Sequence, residues 1–239
     1  MNSVPKEKSK ISDRRLYLGA ALIATLIMIA GFARTYYFMG LFNNPSLSTL
    51  LHAHGMVMTL WFAVFITQVL LVRVRRVNLH RSLGWIAAGL SIMVVILGFA
   101  AGISGARNGH TNGDLPPLVF LMFPLSIMLI FALLTGIAVY YRRRSDIHKR
   151  LMLLASLNML TPAIARIPGI ESAGPPLFLG LTILLVIGCV AYDTIQNRRL
   201  HPAYGWGGGL LIISFPLRFL LAHTDAWLNW ATWLVAYFS

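Results

Sequence analysis

The amino-acid sequence predicts an all-α fold, a polytopic transmembrane helix bundle of about seven spans with its N-terminus in the cytoplasm. Three observations carry that prediction. Hydrophobic residues fill 57% of the 239 positions and charged residues only 11%, with a mean hydropathy of +0.72, a balance from which no soluble surface can be built. The apolar residues gather into runs of roughly 17 to 31, enough for a helix rising about 1.5 Å per residue to cross a hydrocarbon core about 30 Å thick. Sixteen of the twenty Lys and Arg residues fall in four clusters between those runs: Lys6, Lys8, Lys10, Arg14 and Arg15; Arg73, Arg75, Arg76 and Arg81; Arg142, Arg143, Arg144, Lys149 and Arg150; and Arg198 with Arg199.

Each element follows in order. A basic cytoplasmic segment, residues 1–15, precedes a first span at 16–38, whose apolar stretch is too long for a signal-peptide h-region and has no A-x-A exit. The second span covers 48–72. Asn44-Pro45 supplies a cap and a first helical position ahead of it, so His52 and His54 are expected to be helical. The third and fourth spans cover 82–105 and 117–141. The fifth, 151–168, is short and interrupted, because Pro162 removes the hydrogen bond to the Asn158 carbonyl beside Thr161. The sixth, 176–196, holds the single cysteine, Cys189, which excludes a disulfide framework and a Cys metal site. The last runs from 207 to about 237. There His223, Thr224 and Asp225 either continue the span or break it, leaving an interfacial helix with Trp227, Trp230 and Trp233 at headgroup level. Connections are short, and residues 16–239 read as one transmembrane domain.

The charge pattern sets orientation. A formal net charge of +13 would suggest nucleic acid in a soluble domain, but here the basic residues flank membrane spans, so nucleic acid is excluded as a partner and membrane lipids are expected instead. The positive-inside rule places the N-terminus in the cytoplasm and the C-terminus outside. Two similar stretches open the third and fifth spans, Asn78-Leu79-His80-Arg81 and Asp146-Ile147-His148-Lys149, with a fainter copy at His201-Pro202. Asn78 and Asp146 are placed to cap helices. The plainer reading makes His80 and His148 interfacial neighbours of lipid-anchoring charges; the sharper one makes them ligands of a metal or haem on the inner side.

The outer half carries the less ordinary chemistry. His52 and His54 lie about 200° apart on one helix and cannot easily share an ion. His54 begins a stripe through Met58, Trp61, Phe65 and Gln68 at helical spacing, a pattern that fits core packing or a cofactor slot with a polar residue at each end. Arg34, Arg166 and Arg218 also fall inside spans, each at an insertion cost of about 2.5 to 3.5 kcal/mol at the helix centre. Snorkelling relieves Arg34 and Arg166. For Arg218 the alternatives are a salt bridge to Asp225 and an anionic guest, with Glu171 the other acid expected on that side. Lysines occur only at 6, 8, 10 and 149, so no retinal Schiff base is available in a span; there is no phosphate loop, no H-E-x-x-H and no nucleophile with a base.

His54-Gly55, Gln68, His80-Arg81-Ser82-Leu83-Gly84, Asp146-Ile147-His148-Lys149-Arg150-Leu151-Met152 and Ala165-Arg166 resemble a group of uncharacterised bacterial membrane proteins related to domain-of-unknown-function family 2306. More distantly they are similar to diheme cytochrome b membrane proteins. The resemblance covers residues 50–168. The cytochromes hold haem between histidines of different helices at matched depth, which implies His54 as the outer metal ligand and His223 as the residue of compatible depth.

These readings converge on an outward-half polar cavity built from His54, Gln68, Arg34, Arg166 and Arg218, with His223 near it. Three functions fit: a haem b or quinone-linked redox protein whose arginines hold propionates; a non-redox module that binds or transports a small anion or lipid headgroup; and an accessory or assembly subunit of a membrane complex, its polar residues mutually satisfied. The sequence leaves open whether the chain is an enzyme. If the basic clusters set topology, a reporter fused after Arg144 will be cytoplasmic and one fused after Ser239 periplasmic; the same location for both would overturn the orientation.

Overall fold

A computed structural model describes residues 6–110 and 115–238; the side chains of residues 6–14 and of Glu171 lie outside the description. The described chain is helical throughout: α1 (Lys6–Phe32, followed by a π-helical turn Ala33–Tyr37), α2 (Thr49–Arg73), α3 (Val77–Arg107), α4 (Pro117–Tyr140), α5 (Ser145–Asn158), α6 (Thr161–Ile164), α7 (Pro175–Asn197), α8 (Pro202–Ala222) and α9 (Asp225–Tyr237). Six of them are long and apolar enough to cross a membrane: α1 from Arg15 onward, α2, α3, α4, α7 and α8. Their outer surfaces stay apolar, with Leu22, Ile23 and Leu26 on α1 and Ile92, Met93 and Ile96 on α3 all exposed. Continuous apolar exposure of this kind suits lipid and not water.

The remaining crossing is made by α5 and α6 together. Contacts between helix starts gather the basic clusters at one end: Lys149 lies over the Tyr17 ring of α1 at 5.4 Å, His148 of α5 faces His80 of α3, and His201, just ahead of α8, meets Asp146 of α5. Because α4 ends and α7 also ends at this basic face, α5–α6 must carry the chain to the opposite face. It does so through the middle of the bundle, packed by α1, α4, α7 and α8. Residues 153–161 are all buried.

The break falls where the proline was expected to place it. Pro162 cannot donate to the Asn158 carbonyl; the single Thr161 hydroxyl proton is shared between that oxygen, at 3.4 Å, and Thr182 Oγ1 of α7, at 3.2 Å. The Asn158 amide donates to the Ile127 carbonyl of α4 at 2.8 Å. The carbonyl that an intact helix would satisfy is thus met from within the crossing, and side chains at the break tie it to α4 and α7. On its other side α6 lies backbone to backbone against α1, so closely that a Cβ added at Gly31 would overlap the Ala163 carbonyl.

Several expected boundaries move. The seventh span is α8, which begins at Pro202 and stops at Ala222, and residues 225–237 form a separate helix. Both ends of α9 touch outer ends of other helices: Trp227 Nε1 donates to the Leu118 carbonyl at the start of α4, and Arg107, at the end of α3, donates to the Phe238 carbonyl. A helix that crossed would bring Phe238 to the basic face, so α9 lies across the outer interface. Its N-cap is Thr224, whose hydroxyl accepts from Trp227 N. The expected caps are also corrected. Ser48, not Asn44, caps α2, while α3 and α5 start earlier than expected, with Arg76 and Arg144 at their N-cap positions and no side-chain cap. Asn78 and Asp146 are therefore first-turn residues, where the Asp146 charge favours the helix dipole. The main chain of the basic segment belongs to α1 from Lys6 onward, while residues 1–5 lie outside the described residues.

The Gly31 contact gives a direct test of the buried fifth crossing. Gly31→Ala should destabilise the folded protein by about 1 to 3 kcal/mol through overpacking, whereas Gly180→Ala on α7, where nothing lies within 4 Å, should be neutral or stabilising. Thermal unfolding in detergent measures both.

Candidate functional site

Besides the Asn158, Thr161 and Thr182 cluster at the break, polar side chains gather at each end of the spans. At the basic end Arg150 and Asp193 form a buried ion pair between α5 and α7: Arg150 NH2 donates to Asp193 Oδ1 at 2.9 Å and to Oδ2 at 2.8 Å, and Nε donates to Oδ2 at 3.1 Å. Its remaining nitrogen, NH1, donates to the Asp146 carbonyl at 2.8 Å, and the guanidinium faces the Tyr204 ring of α8 at 5.5 Å. Tyr204 in turn lies 3.5 Å from the Tyr17 hydroxyl. Every charge-bearing group here has a partner, the condition under which a buried pair is tolerated. Asp193 was not among the residues singled out by sequence. The signal was present, since a carboxylate within a transmembrane run is costly unless paired; but Arg150 had been counted as a topology-setting residue, and 43 positions separate the two.

At the outer end His54, Arg166 and His110 are neighbours. Arg166 follows directly on α6, its NH1 donates to the Pro162 carbonyl at 2.8 Å, and its guanidinium lies over Phe32 at 5.0 Å. Its charge acts on both His54 and His110. His54 Nδ1 is buried with no partner. Tyr36 closes the neighbouring side: a Cβ on Gly55 would overlap its ring, and its hydroxyl donates to the His52 carbonyl at 3.3 Å. His110, in the turn after α3, packs against Phe120 at 6.1 Å. Partial burial first, and repulsion from Arg166 second, hold its imidazole below the ordinary histidine pKa.

The expected cavity is not assembled as a single unit. Gln68 is fourteen positions from His54 on α2, about 21 Å along the axis, and sits at the basic end with its amide against Gly84. The stripe between them packs instead: Trp61 and Phe65 are buried, and Trp61 meets Phe131 of α4 edge-on at 4.8 Å. Arg34 is exposed, with its guanidinium over Phe42 at 5.2 Å. His223 is exposed at the end of α8 and its Nδ1 pairs with the Phe219 carbonyl at 3.0 Å. His54 and His223 belong to helices with different neighbours: α2 packs chiefly on α1 and α3, α8 on α4, α5, α7 and α9. Among the described residues no three His, Cys, Asp or Glu side chains gather to hold a metal.

Arg218 stands apart. It is 2% exposed, on the α8 face shared with Ser214, to whose hydroxyl NH2 donates at 3.2 Å. Its guanidinium lies over Phe215 at 4.6 Å. Nε and NH1 are buried with no partner. Asp225, the expected counter-ion, is exposed on α9, and among the described residues no carboxylate pairs with Arg218. The chain matches no protein-family model, and neither the curated proteins nor the solved structures contain a match.

The contrast between the two buried arginines is testable. Asp193→Asn leaves Arg150 as an uncompensated buried charge and should destabilise the protein by about 3 to 5 kcal/mol, while the double replacement Arg150→Leu with Asp193→Leu should recover most of that loss. Denaturation of the single and double variants in detergent checks the coupling.

Proposed function

We propose that this protein is a bacterial inner-membrane protein whose outer half binds a small anion or an anionic lipid headgroup, with Arg218 as the charge that neutralises it. The carrying observation is the Arg218 guanidinium itself: 2% exposed, with Nε and NH1 unpartnered. An uncompensated charge in such surroundings costs several kcal/mol, and a bound anion supplies both the missing charge and acceptors for two charge-assisted hydrogen bonds.

The chemistry narrows the guest. One guanidinium balances one negative charge, so a monoanion (a halide, a carboxylate or a lipid phosphodiester) leaves no net charge behind, whereas a dianion would. Arg166, beside His54, adds a second positive charge at the same end of the bundle. The expected orientation, with the basic clusters in the cytoplasm, makes this an outward-facing site. Two other readings have less support. A redox protein holding haem b between His54 and His223 would draw its ligands from α2 and the end of α8, which pack chiefly on different helices. An accessory subunit with mutually satisfied polar groups is opposed by the unpartnered atoms of Arg218, His54 and Gln68.

Thermal unfolding of purified protein, titrated with chloride, acetate or phosphatidylglycerol against phosphatidylcholine, separates free anions from lipid. One of the three should stabilise the wild type, by about 2.7 kcal/mol at a hundredfold excess over Kd. Arg218→Gln should abolish that response and keep the fold. No stabilisation by any of them, together with native mass spectrometry showing no retained anionic lipid, contradicts the proposal.

A further inference from the structure

A second set of unpartnered atoms lies at the basic end, on different helices from Arg218. The rings of His80 on α3 and His148 on α5 lie 6.3 Å apart, centroid to centroid, with their planes at 83°. His148 Nδ1 is 2.8 Å from the Ala138 carbonyl of α4. A carbonyl only accepts, so Nδ1 carries a proton and Nε2 is the nitrogen left to act as a donor to an ion. His80 Nδ1 and Gln68 Oε1 are both buried without partners. They belong to one corner, since Gly84, against which the Gln68 amide packs, is one turn beyond His80 on the same face of α3.

We infer that His80 and His148 bind one divalent late-transition-metal ion, with the Gln68 amide oxygen as a third donor. Three kinds of evidence point the same way. The donor set is two imidazole nitrogens and a neutral oxygen, which suits zinc, cobalt, nickel or copper better than the hard cations that demand oxygen shells. The tie from His148 Nδ1 to a main-chain carbonyl is the support that metal-ligating histidines commonly have, fixing the tautomer and the ring. The nearby positive charges are also turned elsewhere: Lys149 lies over Tyr17, Arg142 over Trp85 at 5.0 Å, and Arg150 is neutralised by Asp193. Arg81 is exposed, where salt screens it. Water or hydroxide completes a four-coordinate shell, and these residues put the ion at the membrane surface on the side of the basic clusters.

Cobalt is the useful probe, because its visible absorption reports nitrogen and oxygen coordination directly. Protein purified without a histidine tag is titrated with Co2+ and then back-titrated with Zn2+. One equivalent should bind with a d–d spectrum, and Zn2+ should displace it. His80→Ala and His148→Ala should each weaken binding by roughly tenfold or more, since even supporting residues around metal sites carry 10- to 100-fold effects. His52→Ala, an exposed ring at the opposite end, should change nothing. Size-exclusion profiles identify any variant that fails to fold. The wild type decides independently of them: no stoichiometric Co2+ or Zn2+ binding overturns the inference, as does binding that survives both replacements. Neither outcome bears on Arg218.

Discussion

A helix that stops inside hydrocarbon leaves main-chain carbonyls unmet, and this bundle is arranged around one such stop. Between Asn158 and Thr161 the fifth crossing breaks, and water cannot repair the break. At the break the Thr161 hydroxyl reaches the Asn158 carbonyl and Thr182 of α7, and the crossing is held in place by the Asn158 side chain on α4, by Gly31, which lets α1 close on α6, and by Arg150, which ties the start of α5 to α7. These contacts explain why the least apolar crossing is the most buried one. A helix of ordinary length could face lipid on one side, whereas a broken one has to be enclosed.

Enclosure also decides where charge can sit. At the basic end Arg150 is matched by Asp193 and faces Tyr204, so the pair contributes a directional fastening among α5, α7 and α8 without leaving an unmet charge. At the outer end the same central position of α5–α6 delivers Arg166 beside His54, and α8 carries Arg218 into the interior with no carboxylate paired to it among the described residues. The two ends therefore differ in kind. The basic end closes its one buried ion pair, whereas at the outer end no described carboxylate balances the buried Arg218 guanidinium.

Much of the architecture was legible in the sequence, because it rests on length, hydropathy and the position of basic residues. The spans, the break at Pro162 and the alternative ending at His223-Thr224-Asp225 all follow from local properties. What escaped depends on depth and on pairs distant in sequence. Helical spacing put His54 and Gln68 on one stripe, yet a stripe runs along the axis as well as around it, and these residues end at opposite membrane faces. Asn78 and Asp146 looked like caps because Asx residues favour that position, but α3 and α5 extend one further half-turn into the basic turns and absorb them. Arg218 was recognised as costly from its place in a span. That Asp225 would be drawn out onto an interfacial helix was not readable, because it follows from where α9 packs against α3 and α4.

The central claim is that the broken fifth crossing is the buried scaffold of the bundle. Hydrogen–deuterium exchange of the detergent-solubilised protein tests this most directly, since exchange reports how often each main-chain amide opens. The account predicts that residues 153–161 are among the slowest to exchange in the chain, slower than the lipid-facing helices α2 and α3 despite the interruption of the helix. Rapid exchange confined to 153–161, with α2 and α3 protected, would mean that the break is open to solvent and would contradict the claim.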